Sequence, residues 1–134
     1  MSRFPLCGQD VRMTNAPLPP GDHFGATVDV EQRGTAVVLH VAGELDLVTT
    51  PILSEACTDA LRSRPPVLVI DLTGVTFLAS VGMSAIVAAH EGGGEQTKVR
   101  VVSGTRDTLR PMRVTGLDNL LSIYPDLSSA LDGS

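Results

Sequence analysis

Aromatic side chains are nearly missing from this chain. Of 134 residues only Phe4, Phe24, Phe77 and Tyr124 carry a phenyl or phenol ring, and there is no Trp. A core must therefore be assembled from aliphatics, and 16 Val and 16 Leu supply them. Lysine is as scarce: Lys98 is the only one, and nine Arg complete the ten basic residues that face fifteen acidic ones, for a formal charge of −5. An acidic chain without a polybasic run, and with few rings to stack on bases, is a poor match for nucleic acid or an anionic membrane. No apolar run approaches the roughly 18 residues that a membrane span requires. Gly8, Gln9 and Asp10 interrupt the N-terminus where a secretory signal would need its apolar stretch. Two cysteines, Cys7 and Cys57, are too few for a disulfide framework, so free thiols in a reducing cytoplasm are expected. His23, His40 and His90 stand at no ligand spacing, and neither a metal nor a cofactor is expected.

What is present is ordered. Residues 1–22 hold Pro5, Pro17, Pro19 and Pro20 with Gly8 and Gly21, and read as a flexible leader in which Met13 is an alternative start. Residues 23–134 read as one folded domain. Phe24 to Arg33 alternates as a half-buried strand, Gly34-Thr35 turns, and Ala36 to Val41 is a more continuous apolar run, which together predict a hairpin. Thr50 before Pro51 is an N-cap signal, and Ile52, Leu53, Ala56, Cys57, Ala60 and Leu61 line one helical face up to Pro65-Pro66. Val67 to Leu72 (VLVIDL) is the run of a strand covered on both faces, and Gly74 reads as a turn. A helix is expected from about Val81 to Glu91, a strand over Lys98 to Ser103 and a short helix over Thr108 to Thr115. In that last helix Pro111 is tolerated only in the first turn. A brief strand over Ser122 to Tyr124 and a final helical turn from Asp126 to Leu131 complete the order β-β-α-β-α-β-α-β-α. This is an α/β fold with a mixed sheet of about five strands and about four helices.

Chemistry-bearing patterns are few. Gly92-Gly93-Gly94 follows a helix and lacks the Lys-Ser/Thr of a phosphate loop, so it reads as a helix stop. Asp71 at a strand end has none of the acidic pair or late-strand Lys of a phospho-receiver domain. No G-x-S-x-G elbow is present, and Glu44 with Asp46 is a loop pair rather than an acid/base dyad. An enzyme is not expected. Ser80 is the one polar residue placed with purpose: it precedes a helix, where its oxygen would cap the N–H of Gly82 or Met83. A phosphate there would meet the positive end of the helix dipole, on a spot otherwise made of Ala79, Val81 and Met83.

Three segments together, GELD (43–46), VLVIDLTGVTFLASVGMSAIVAAH (67–90) and TGLDNLLSIY (115–124), resemble the STAS domain of bacterial anti-sigma factor antagonists, over about residues 27–132. The resemblance implies a binding protein without chemistry of its own. Its partner would be an anti-sigma factor that is also an ATP-binding serine kinase, with ATP and Mg²⁺ belonging to that partner, and a serine phosphatase would reverse the modification. The family's usual Asp-Ser-Ser/Thr-Gly-Leu becomes Ala79-Ser80-Val81-Gly82-Met83, so Ser80 matches the phospho-acceptor and Gly82 the glycine that lets a partner approach. Asp46 matches an aspartate near that site. The implied contact surface comprises Asp46, Leu47, Ala79, Ser80, Val81, Gly82, Met83 and Ser84. Ala79 and Val81 depart from the pattern. This leaves a second reading open: a STAS adaptor module that is never phosphorylated, in a transporter-ATPase or stress-sensing complex.

Overall fold

In the computed structural model, which describes residues 25–132, the gradient from alternating to continuous hydropathy becomes a sheet whose edge is half-open and whose centre is closed. Strands β1 (Ala26–Arg33) and β2 (Ala36–Leu45) form the antiparallel hairpin. Strands β3 (Val67–Leu78), β4 (Lys98–Val102) and β5 (Ser122–Tyr124) then add in parallel, so the spatial order is β1-β2-β3-β4-β5. Helices α1 (Thr50–Arg62), α2 (Ser80–Gly93), α3 (Arg106–Val114), α4 (Leu117–Leu120) and α5 (Leu127–Asp132) connect and flank them. The 1–22 leader, Met13 and Cys7 lie outside the described residues.

Because each parallel strand lies beside its predecessor, right-handed crossovers carry successive connecting helices over the same face. The main core agrees: Leu39 and Val41 of β2, Leu68, Ile70 and Leu72 of β3 and Val101 of β4 meet Leu53 and Cys57 of α1, Ile86 of α2 and Met112 of α3. On the opposite face Val38, Val69 and Val102 pack with Ala130 of α5. Burial of both alternating sets is why β2 to β4 read as continuous apolar runs. At the edge, Ala26 and Val28 are half-buried, but the alternation stops at Val30, which is 65% exposed.

Four local expectations change. Strand β3 does not end at Leu72; it runs through Gly74 to Leu78, with register shifts against β2 between His40 and Ala42 and between Gly43 and Glu44. Each shift inserts one extra residue in β3, a β-bulge. Gly74 serves this close approach, since a Cβ there would lie 3.0 Å from that of Ala42. The cap of α1 is Thr49, one residue before the expected Thr50. Helix α3 begins at Arg106, which moves Pro111 into its second turn. The turn survives because it is the last: the Thr115 N–H and hydroxyl both donate to the Pro111 carbonyl, at 3.2 and 2.8 Å. Gly116 does not merely stop α3. With φ +81 it precedes the short extra helix α4, which makes five helices among the described residues rather than about four.

Candidate functional site

The proposed contact residues lie where β2 and β3 end side by side. Leu45 and Leu78 are the last paired residues, and the Ala79 N–H donates to the Leu45 carbonyl at 2.9 Å. From there β2 runs into the Asp46 loop and α1, while β3 runs into α2. The two bulges of β3 absorb two residues along this path and so determine where Ser80 emerges.

Ser80 is the first residue of α2, not its cap. Ala79 holds the N-cap position (φ −79, ψ 165), and no side chain caps the helix. The Ala79 carbonyl itself accepts the Gly82 and Met83 N–H groups, at 2.9 and 3.1 Å. Those donors, expected to bind the serine hydroxyl, are therefore occupied. Ser80 is exposed, and its hydroxyl makes no hydrogen bond among the described residues. It sits at the positive end of a 14-residue helix without an acidic residue in the first turn.

Asp46 organises the adjoining loop. Its Oδ1 accepts the N–H groups of Val48 and Thr49 and the Thr49 hydroxyl, each at 3.0 Å. These bonds, the Thr49 N–H first among them, hold the Asp46 carboxyl below the usual carboxylate range. The Thr49 hydroxyl also donates to the Glu44 carbonyl at 2.6 Å and accepts the Asp46 N–H at 2.9 Å. The loop is thereby held with Leu47 77% and Val48 67% exposed. Two apolar side chains facing water on an ordered loop suit a partner surface better than a core.

The other named residues divide. Ser84 is exposed, and Ala79 and Val81 are half-buried. Gly82 and Met83 are buried and face inward. A Cβ on Gly82 would lie 2.9 Å from Leu78 Cδ1 and 3.1 Å from Leu45 Cβ, so this glycine lets α2 approach the strand ends. Beside Ser80 a groove of about 350 Å³ runs along α2, bounded by Met83, Ser84, Val87, Thr115 and Leu117. From Ala79 to Ala89 the sequence holds no ionisable side chain.

Among the described residues neither histidine hydrogen-bonds to Ser80. His90 is ten residues further along α2, about 15 Å by helical rise. His40 lies on the face of the sheet that carries α5, where its Nε2 meets Glu31 at 2.6 Å and its Nδ1 meets Asp71 at 3.0 Å. Asp71 Oδ1 also accepts the Thr73 N–H and hydroxyl, at 3.0 and 2.8 Å. Sequence reasoning missed this network, because only the register that sets Asp29, His40 and Asp71 abreast brings it together. A polar residue in each of two apolar strands was its one visible sign. The Glu31 hydrogen bond raises the pKa of His40, and the His40 hydrogen bond lowers that of Glu31. Cys57 is buried in the main core, where desolvation pushes its thiol up to about 12. Among the described residues no group of three or more His, Cys, Asp or Glu could hold a metal ion, and no helix is long and apolar enough to cross a membrane.

Comparison with known proteins gives the chain a family. Residues 27–130 match the model of the STAS domain. Over 107 residues the chain is 38% identical to the anti-sigma-F factor antagonist RsfB of Mycobacterium tuberculosis, covering 80% of this chain and 88% of that one. It is 31% identical over 99 residues to the anti-sigma-B factor antagonist of Listeria monocytogenes, covering 72% and 87%. A crystal structure of an anti-sigma factor antagonist from Mycobacterium paratuberculosis superposes with a TM-score of 0.78 at 40% identity, over 81% of this chain and 93% of that one. The unphosphorylated form of SpoIIAA shares the fold at 14% identity, with a TM-score of 0.66. This chain belongs to the STAS domain family.

Proposed function

We propose that this protein is a cytoplasmic anti-sigma factor antagonist, which acts by binding an anti-sigma factor and so freeing a sigma factor. The names of its relatives support that reading. One observation carries its local form: an exposed serine with an uncommitted hydroxyl begins α2, beside a loop that presents Leu47 and Val48. The docking face comprises Asp46, Leu47, Ala79, Ser80, Val81 and Ser84. Gly82 and Met83 support it from inside.

Phosphorylation of Ser80 by the partner, acting as an ATP-dependent serine kinase, switches binding off, and a phosphatase restores it. The phosphate would bring ~1.5–2 negative charges to the start of a stretch, Ala79 to Ala89, that holds no ionisable side chain. The helix dipole tolerates that charge in the free protein, whereas an apolar interface would have to desolvate it. The second reading, an adaptor that is never phosphorylated, draws on Ala79 and Val81, which replace the acidic and hydroxyl neighbours of the family pattern.

Titration against the cell's own anti-sigma factor, followed by mass spectrometry after incubation with ATP and Mg²⁺, separates the two. The antagonist reading expects binding by the wild type and by Ser80→Ala, much weaker binding by Ser80→Glu, and phosphate at Ser80 alone. Equal binding by wild type and Ser80→Glu would refute the switch. Binding without any phosphate on Ser80 would favour the adaptor.

A further inference from the structure

Ser80 follows the C-terminal end of β3, and a second polar site lies at the other end of the parallel sheet. Strand β4 starts at Lys98, but β5 pairs with it only from Arg100 to Val102. Where β5 falls short, a cavity of about 550 Å³ opens, with His90, Lys98, Arg100, Ser122 and Tyr124 in its wall. In a chain of net charge −5 this wall gathers the only lysine, an arginine and a histidine, against one carboxylate, Glu95.

Arg100 decides what the cavity is for. The residue is only 9% exposed, yet a guanidinium carries five N–H donors and keeps its charge. Its Nη1 donates to the Ala130 carbonyl of α5 at 2.9 Å, and its Cζ lies 6.0 Å from the centre of the Tyr124 ring. Among the described residues no carboxylate pairs with it, and no second acceptor meets its side chain. Among the described residues no Arg100 nitrogen is sealed from solvent without a partner, so its remaining N–H donors open on the cavity rather than into the core. A role as a clamp on α5 accounts for one donor of the five. It accounts neither for Lys98 two residues earlier on the same face of β4 nor for the open volume.

We propose that this cavity binds a phosphate group, free or carried on a small organic molecule, held by the Arg100 fork and the Lys98 ammonium with the Ser122 hydroxyl beside them. Two cations, one of them held by its bond to α5, and a hydroxyl suit a dianion with several acceptor oxygens better than a single carboxylate. The volume is within the ~300–1,000 Å³ usual for small-molecule sites. Being at the opposite end of the strands, the site leaves the Ser80 surface free, and it does not rest on the antagonist reading.

The test is a titration of the full chain with inorganic phosphate, and separately with glycerol 3-phosphate, at an ionic strength held constant with sodium chloride. Backbone amides are followed by NMR. Saturable shifts are expected at Lys98, Arg100 and Ser122 and not at Ser80. Arg100→Gln and Lys98→Gln should each weaken binding about tenfold or more, and Glu95→Gln should strengthen it. Lys98 and Glu95 are exposed, so their variants keep the test decisive if Arg100→Gln fails to fold. Tighter binding of glycerol 3-phosphate assigns an organic phosphate, and equal or weaker binding assigns the free ion. Shifts that do not saturate, that are the same in Lys98→Gln and Glu95→Gln, or that centre on Ser80 would overturn the proposal.

Discussion

Replacing Gly82 by Ala tests whether this glycine serves the fold or a partner. The added Cβ would lie 2.9 Å from Leu78 Cδ1, 3.1 Å from Leu45 Cβ and 3.6 Å from the Leu45 carbonyl oxygen. Carbon atoms at rest sit about 3.5–4.0 Å apart, so two of these contacts are too close by roughly half an ångström. Leu78 could rotate its methyl only within a closed core, being 4% exposed. The Leu45 Cβ cannot rotate away, and the carbonyl of that residue holds the Ala79 N–H. Over-packing of this kind costs about 1–3 kcal/mol, while removing a glycine from a helix returns at most about 1 kcal/mol. The expected net loss is about 1–2 kcal/mol, which lowers a urea midpoint by roughly 0.5–1 M at an unchanged slope. Binding of the anti-sigma factor should weaken as well, because the first turn of α2 must shift to admit the methyl. An unchanged or raised midpoint would refute the packing argument. If binding were lost at the same time, the glycine would be making room for a partner after all.

Three further outcomes are expected. His40 has a raised pKa, so its contribution to stability is full below its ordinary value near 6.5 and fades as pH climbs through the folded value. Glu31 has a lowered pKa, so its contribution is present above about 4.5 and is lost in acid. The urea midpoint should therefore be highest between these values and decline as pH rises past the folded pKa of His40, and His40→Gln should flatten the alkaline side. Cys57, buried with its thiol pushed up to about 12, should resist alkylation in a folded Cys7→Ser chain and react fully in urea. Asp46→Ala should speed hydrogen exchange at the Val48 and Thr49 amides, while Asp46→Asn, which keeps an acceptor oxygen, should preserve most of their protection.

The order of elements was legible because each element announces itself locally. The alternation of β1, the VLVIDL run, the Pro51 start of α1 and the glycines after α2 need no knowledge of neighbours. What stayed hidden depends on two strands at once. Gly74 carries the marks of a turn, yet it lies inside β3 because Ala42 and Val41 press against it from β2. Ser80 has the composition of an N-cap, but the bulged β3 delivers Ala79 to that position and Ser80 to the first turn. Gly82 and Met83 look like surface when read beside Ser80, whereas helical geometry turns Gly82 toward Leu45 and Leu78 and buries Met83 in the main core. Arg100 gave no signal at all: a basic residue in a β-branched strand is unremarkable until the shortness of β5 exposes the cavity beside it.

The GELD segment shows how a motif can identify a family while most of its residues serve the chain's own fold. Gly43 takes φ +97 and lies so close to the Gly25 backbone that a Cβ would collide with the Gly25 carbonyl. The Glu44 N–H donates to that same carbonyl at 2.7 Å, and its own carbonyl receives the Thr49 hydroxyl. Leu45 is wholly buried and holds Ala79, while Asp46 gathers the Val48 and Thr49 amides. Each of the four has a task within the chain, and together they fix the distance from the loop to the start of α2. A substitution among them should therefore alter stability and loop order before it alters partner choice. On the proposed docking face, discrimination between partners would fall to the side chains presented outward beside Asp46, namely Leu47, Val48, Ser80 and Ser84. Exchanging Leu47 and Val48 for serine should leave the unfolding free energy within about 0.5 kcal/mol of wild type, as surface changes usually do, and still weaken binding severely. The opposite result, lost stability with binding kept, would place the recognition surface elsewhere on the domain.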